Sequence, residues 1–171
     1  HSFGPAVRDH FLIHCILEGE GTFSVGNKEY RLNRGEGFLI VPGVVTYYRA
    51  DRNNPWKYCW VGFNGTEAAK ICSQCGIGLE HPAFSYADPP RMETCMRELR
   101  EICDSGGNEF LTLSRLYEFF SMIQREAAPA GKRAGIVEPA LDYISKNYSY
   151  GITVGQIASH LGISRSHLFR V

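Results

Sequence analysis

Short apolar segments separated by turn residues dominate the first third of the chain, over residues 7–63. The segment 11–17 is apolar and rich in strand-forming residues, and 38–41 is a similar run that ends at a Pro-Gly pair. Two further segments with strand-like patterns follow at 44–49 and 56–63. Short strands at this spacing predict a small antiparallel β-barrel or β-sandwich.

Helical periodicity replaces the strand pattern after Gly65. Apolar residues recur at helical spacing over 66–75, 91–103 and 110–123. The two longer segments predict consecutive amphipathic helices, and each of them needs a surface against which its apolar face can pack. That surface can be the β structure, the other helix or a second copy of the chain.

A linker and three more helices complete the predicted order of elements. Residues 127–135 are small and polar without apolar periodicity, which is typical of a linker. Helices are predicted over 137–147, from an N-cap at Thr153 through Leu161, and after a cap at Ser164. The sequence therefore predicts an α+β chain in which the strands come first and the helices follow.

Composition narrows the class of protein. Of the 171 residues, 44% are hydrophobic and 21% are charged, which is ordinary for a globular protein. No apolar run approaches the roughly 20 residues of a membrane-spanning helix, and no secretory signal pattern opens the chain. We therefore expect a cytoplasmic protein without a membrane partner, and we expect its six cysteines to be reduced thiols.

Charge is balanced overall but unevenly distributed. The formal net charge is zero, whereas the residues from Lys132 onward contain five basic and two acidic side chains, so that this end carries +3 and the preceding part −3. A mildly basic end after a slightly acidic body is compatible with a nucleic-acid-binding region attached to another domain.

Residues 153–170 have the pattern of a helix-turn-helix. Ile157, Ala158 and Leu161 form the inner face of the first helix, and the small Ala158 allows a second helix to cross closely. Gly162 can supply the positive φ of the turn. A plain αα-hairpin is the alternative, but the combination of Ile-Ala-x-x-Leu-Gly-Ile-Ser with Arg-Ser-His-Leu-Phe-Arg is more specific than a generic hairpin.

Both ends of the chain resemble transcription regulators of the AraC/XylS type. The stretch 152–171 resembles the first of that family's two helix-turn-helix units. The stretch 11–65 resembles its cupin-like sensor through Ile-Leu-Glu-Gly-Glu-Gly at 16–21, Gly-Glu-Gly-Phe-Leu-Ile-Val-Pro-Gly at 35–43 and Asn-Pro-Trp-Lys-Tyr-Cys-Trp-Val-Gly-Phe at 54–63. The resemblance covers nearly the whole chain, and the two groups of motifs occur in the family's order.

The resemblance implies a division of the chain into regions. These are a cupin-like ligand-sensing β-barrel over 1–65, a helical region that is a candidate for dimerisation over 66–128, a linker over 129–135, and a partial first helix-turn-helix over 136–171. It also implies a homodimer, a small-molecule effector and double-stranded DNA as partners of the full-length protein. Activation and repression of transcription both remain open.

The resemblance also implies which residues contact DNA. Ser166, Phe169 and Arg170 correspond to base-facing positions, Arg170 as a potential donor to guanine, and Arg165 is better placed for phosphate. The family carries two such units, whereas this chain ends at Val171 inside the first recognition helix. We therefore expect a fragment that binds its operator poorly, because half of the groove contacts are missing.

Alternation along the early strands supplies candidate ligand-binding residues. They are Arg8, His10, His14 and Glu18 on one strand face, Thr46 and Tyr48 on another strand, and Tyr58 and Trp60 on a third. Aromatic rings beside charged hydrogen-bonding groups suit a sugar. The alternatives are a solvated outer face and, for at least one of the two later aromatic residues, an ordinary place in the core. The resemblance favours a polar cavity.

A metal-dependent cupin enzyme, such as an isomerase or a dioxygenase, is the rival function. His10 and His14 are four residues apart on a strand, about 13 Å, so they cannot bind one ion together. Thr46 occupies the position where the cupin pattern usually has histidine. The spacing of Cys72 and Cys75 lacks the second pair of a zinc finger. We therefore expect no metal, no cofactor and no catalytic residue. A third possibility is a scaffold with a filled barrel.

Overall fold

A computed structural model describes residues 2–123 and 137–168, without the side chains of Val137, Glu138 and His167. The chain divides into two compact units, 1–126 and 127–171. The strands are β1 Ser2–Val7, β2 Phe11–Glu18, β3 Glu20–Val25, β4 Lys28–Asn33, β5 Glu36–Ile40, β6 Val45–Ala50, β7 Lys57–Phe63 and β8 Ala83–Ser85. The helices are α1 Ala68–Gln74, α2 Pro89–Asp104, α3 Glu109–Ile123, α4 Val137–Asn147, α5 Val154–His160 and α6 Arg165–Leu168.

Two antiparallel four-stranded sheets form the N-terminal part of the first unit. Their strand orders are β1-β6-β3-β4 and β7-β2-β5-β8. The predicted α+β class, with strands before helices, is confirmed, and of the two predicted architectures the sheets form the sandwich. The sequence pattern predicts neither β1, which spans Ser2–Val7, nor β8, which is only three residues long.

Strand β2 lies between β7 and β5 in the second sheet. It is buried on both faces because the other sheet covers one face and the helices cover the other. Ile13, Cys15 and Leu17 pack with residues of the helices, whereas Leu12 and Ile16 pack between the sheets. Double burial explains why the segment reads as a continuous apolar run rather than an alternating one.

The space between the sheets is filled largely by aromatic rings. Phe23 and Phe38 stack with their centroids 4.3 Å apart, and Trp56 is 6.0 Å from Phe38. Gly21 allows the Trp56 ring to approach, since a Cβ atom at that position would lie 2.5 Å from it. The candidate site lies beside this aromatic core, on the side of β1 and β7.

Helices α2 and α3 pack against the outer face of the second sheet. The N-cap Asp88 accepts a hydrogen bond from the backbone N–H of Arg91 at 3.0 Å, and Pro89 occupies the first turn, where no N–H is needed. α2 buries Met92, Cys95 and Leu99, and α3 buries Phe119, Phe120 and Ile123. The helical spacing over 110–123 predicts an apolar face that includes Leu113 and Tyr117, but both of these side chains are exposed.

The second unit contains α4, a 3-10 turn at Tyr148–Tyr150, α5 and α6. Thr153 and Gln156 form a capping box at the start of α5, which confirms the predicted N-cap. Gly162 has a φ of 66° after α5, as the turn requires. In the described ranges, no helix combines the length and the apolar character that crossing a membrane would need.

Candidate ligand-binding site between the two sheets

His14 lies at the centre of the candidate site. Its side chain points from β2 into the space between the sheets and is 2% exposed. Its ring stacks on Phe38 at a centroid distance of 4.5 Å and is tilted against Tyr48 at 4.9 Å and Tyr58 at 5.2 Å. The histidine is therefore enclosed by aromatic rings from three strands.

This environment keeps the imidazole neutral. Burial, with a smaller contribution from the positive charge of Arg8, lowers the pKa of His14 to about 3. Among the described residues, none provides a hydrogen-bond partner for its buried Nδ1 atom. A buried polar atom without a partner costs free energy, and a hydrogen bond to a ligand would remove that cost.

Arg8 precedes β2 and places a cation beside His14. Its guanidinium carbon lies 4.3 Å from the ring centroid of Phe3, a cation–π contact, and its backbone carbonyl accepts a hydrogen bond from the N–H of Gly43 at 2.9 Å. The Nε atom of Arg8 is buried, and nothing within 2–123 or 137–168 hydrogen-bonds to it. Arg8 and His14 thus present two unsatisfied nitrogens.

Tyr48 joins the two sheets at this place. It stacks on Phe3, its register partner on β1, at 5.6 Å and meets Tyr58 at 6.5 Å. Burial and the neighbouring Tyr58 raise the pKa of its hydroxyl, while Arg8 acts in the opposite direction. Thr46 lies two residues earlier on β6 and is also buried, so both predicted β6 residues face inward.

Trp60 lies beside this group at the surface, where it also lines the groove between β7 and α2. It is the register partner of His14, so the two side chains lie on the same face of the sheet, yet 57% of its surface is exposed because β7 is an edge strand. Tyr58, two residues earlier, is 39% exposed. We call the resulting group the mouth, formed by Phe3, Arg8, His14, Tyr48, Tyr58 and Trp60.

His10 and Glu18, at the two ends of the predicted strand face, lie apart from these contacts. His10 packs over Gly62, where a Cβ atom would lie 3.1 Å from its ring, and its Nδ1 is 2.7 Å from the Asp9 carboxylate. Glu18 does not face the mouth. A register shift follows Ile16, and the Glu18 side chain is 67% exposed, with its carboxylate 3.6 Å from the Lys57 ammonium.

The predicted DNA-contacting residues are only partly described. Arg165 and Ser166 begin α6 and are exposed. Phe169 and Arg170 lie outside the described residues.

The sequence pattern predicts neither Phe3 nor Phe38 as part of the site. Phe3 lies on β1, which has no strand signal, and the apolar run 38–41 predicts a strand without indicating which face Phe38 occupies. The inward alternation of β5 with Ile40 could have indicated Phe38. Among the residues that the structure describes, no three His, Cys, Asp or Glu side chains lie together in a way that could hold a metal ion.

Residues 1–120 match the family model described as the AraC-like ligand binding domain. The chain belongs to this family. The mouth of this AraC-like domain is therefore built from the segment that carries the family's match. The sequence resemblance to AraC-type regulators is confirmed by this finding.

Curated relatives of this AraC-like domain are regulators of operons rather than enzymes. The Msm operon regulatory protein of Streptococcus mutans is 31% identical over 100% of the chain and 64% of its own length. The lactose operon transcription activator of Staphylococcus xylosus is 30% identical over 94% of this chain and 60% of its own length. The raffinose operon transcriptional regulatory protein RafR of Pediococcus pentosaceus is 30% identical over 97% of this chain and 63% of its own length. The chain thus spans less than two thirds of each relative.

Proposed function

We propose that the chain is the effector-sensing part of a transcription regulator and that it binds a sugar at the mouth. The observation that carries this proposal is the pair of buried, unpartnered nitrogens on Arg8 and His14, surrounded by aromatic rings that reach the surface at Trp60. In this proposal the two sheets act as a cupin-like barrel with its opening between β1 and β7.

Sugar chemistry fits these groups. A pyranose presents C–H faces that stack on aromatic rings, here those of Tyr58 and Trp60, and hydroxyl groups that exchange hydrogen bonds with nitrogen and oxygen atoms. The neutral His14 can donate or accept, whereas Arg8 donates only. Two relatives are named for the lactose and raffinose operons, and their names support the same ligand class.

We further infer that α5 and α6 belong to a DNA-binding region. The Thr153 capping box, the left-handed Gly162 and the exposed Arg165 and Ser166 support a helix-turn-helix arrangement. Arg165 is proposed to contact phosphate and Ser166 base edges in the full-length regulator.

The proposed response to ligand begins at β1. Phe3 on β1 stacks on Tyr48 of β6, and its ring contacts the Arg8 guanidinium through a cation–π interaction. A sugar that binds Arg8 would therefore also hold β1 against β6. This ordering would change the surface that the sensor offers to the rest of the regulator. A homodimer through α2 or α3 is part of the proposal, and the exposed Phe110, Leu113 and Tyr117 of α3 support it.

A thermal-shift panel tests the ligand class. Binding to the native state raises the melting temperature of the chain in proportion to the logarithm of ligand concentration above Kd. We expect lactose, raffinose or a related saccharide to raise it, and sorbitol at equal concentration to leave it unchanged. A broad panel of mono- and oligosaccharides without any shift would contradict the sugar proposal.

A further inference from the structure

A pair of cysteines lies directly across two strands, next to the mouth but on the opposite face of the sheet. Cys15 on β2 and Cys59 on β7 are register partners in the antiparallel ladder. Opposed residues in such a ladder have their Cα atoms about 4.5 or 5.5 Å apart, and both distances lie within the range that a disulfide bond spans. Their side chains point to the same side, into the core under the helices.

The two thiols interact in the reduced protein. The Sγ atom of Cys59 lies 3.8 Å from the backbone carbonyl oxygen of Cys15. Interaction with the Cys15 thiol lowers the pKa of Cys59, while burial raises the pKa of Cys15 well above its usual range. Cys59 is thus the thiol of the pair that is more readily deprotonated, and a thiolate is the reactive form.

Solvent exposure also distinguishes the two thiols, and it too favours Cys59 as the more reactive one. Cys15 is 1% exposed, whereas Cys59 is half-buried and lines a groove of about 710 Å³ between β7 and α2. Small oxidants can therefore reach Cys59 from the groove. Cys103 lines the same groove and is exposed, so it serves as an internal reference for an accessible thiol.

We propose that Cys15 and Cys59 form a redox-active pair that peroxide converts into a cross-strand disulfide. The Cys59 thiolate attacks one oxygen of hydrogen peroxide, so that an S–O bond forms, the O–O bond breaks and hydroxide leaves. This hydroxide takes up the proton that Cys59 released on ionisation and becomes the first water. The sulfur of Cys15 then attacks the sulfenic sulfur of Cys59; the S–S bond forms, the S–O bond breaks, and the Cys15 proton and the leaving hydroxide give water. Two thiols lose two electrons, and one peroxide becomes two waters.

The disulfide would fix the edge strand that carries Tyr58 and Trp60. These residues flank Cys59 in sequence and belong to the mouth on the other face of β7. Oxidation therefore limits the movement of β7 away from β2. If the proposed function also holds, it changes the affinity of the mouth for its ligand, but the redox pair itself does not depend on that function.

Peptide mapping of the 171-residue chain after treatment with hydrogen peroxide tests the proposal. Free thiols are blocked with iodoacetamide, and the disulfide-linked peptides are identified by mass spectrometry. We expect a Cys15–Cys59 linkage that dithiothreitol reverses, and we expect Cys59→Ser to leave Cys15 reduced. Cys103→Ser, the matched control, retains the linkage.

Three other outcomes would overturn the proposal. They are a linkage of Cys15 to Cys95, a linkage of Cys59 to Cys103, or oxidation confined to Cys103, in each case with Cys15–Cys59 absent. The melting temperature provides a second measurement: it should rise on oxidation of the wild-type chain and not in Cys59→Ser, and an equal rise in both would also overturn the proposal.

Discussion

The imidazole of His14 lies nearly parallel to the ring of Phe38, with a centroid distance of 4.5 Å and an interplanar angle of 7°. The two residues are register partners on β2 and β5, so the backbone ladder itself places the rings side by side. In this stacked position His14 is part of the aromatic cluster of the mouth and still presents a polar nitrogen. This combination distinguishes the site from an ordinary hydrophobic core.

Burial of His14 predicts acid sensitivity of the fold. The pKa of His14 is 6.5 in the unfolded chain and about 3 in the folded one. Between pH 6.5 and about 3, the unfolded state therefore binds a proton that the native state does not bind. The associated stability is fully present above pH 6.5 and is lost as the pH falls towards 3. The free energy of unfolding, measured by urea titration, should fall by about 1.4 kcal/mol per pH unit from this residue alone.

Two histidine variants isolate this contribution. His14→Gln removes the titrating group and should flatten the pH dependence of stability between pH 7 and 5.5. His81→Gln, at an exposed position, should leave it as in the wild type. Equal slopes for His14→Gln and the wild type would show that His14 does not titrate as the structure predicts.

The two tryptophans of the chain form a matched pair for separating binding from stability. Trp56 is 8% exposed in the core between the sheets, whereas Trp60 is 57% exposed at the mouth. Trp56→Ala should lower the free energy of unfolding by roughly 3–5 kcal/mol. Trp60→Ala should change it by no more than about 0.5 kcal/mol and should reduce sugar affinity, as measured by urea denaturation and calorimetry.

Trp56→Phe gives a complementary signal, because Trp60 then becomes the only tryptophan of the chain. Saturable quenching or a shift of its fluorescence on addition of sugar is expected. Binding detected by calorimetry without any response of Trp60 would place the ligand elsewhere.

Arg8 should contribute more to binding than to folding. A hydrogen bond from a charged donor contributes about 1.5–3 kcal/mol, so Arg8→Gln should weaken sugar binding by roughly 10- to 100-fold. Arg52→Gln is the control, because Arg52 is an exposed arginine in the turn before β7. Equal affinities of these two variants in calorimetric titrations would argue against the placement of the ligand beside Arg8.

The capping box of α5 predicts the local stability of the second unit. Thr153→Ala removes the acceptor for the Gln156 N–H, now 3.3 Å away, and should cost about 1 kcal/mol. Hydrogen exchange of the α5 amides should accelerate by about fivefold, and Thr153→Ser should restore protection. Unchanged exchange in Thr153→Ala would show that the cap does not determine the stability of this helix.

Helices and strands with a strong local pattern could be predicted from the sequence. The residues of the site could not, because their positions depend on which strands pair with each other. The helix at α2 follows from its apolar spacing, and the start of α5 follows from the N-cap residue Thr153. Strand β1 has no comparable signal, because Gly4 and Pro5 interrupt it and most of its side chains are exposed. Its contribution to the site, through Phe3, could therefore not be predicted.

Glu18 shows a second limit of pattern reasoning. Strict alternation places it on the face of His14, but the register shift after Ile16 turns the end of β2 and directs the carboxylate towards Lys57. A single irregular residue pair changes the sheet face to which all later side chains of the strand point. The sequence carries no clear signal of that irregularity. His14, two pairs before the last regular pair at Ile16, faces inward.

Isothermal titration calorimetry of the chain with lactose, raffinose and the saccharide that gives the largest thermal shift tests the central claim most directly. We predict saturable binding at one site per chain in the wild type, strong loss in Arg8→Gln and Trp60→Ala, and retention in Arg52→Gln. Saturable binding that both mouth variants leave intact would contradict the assignment of the mouth as the sensor site.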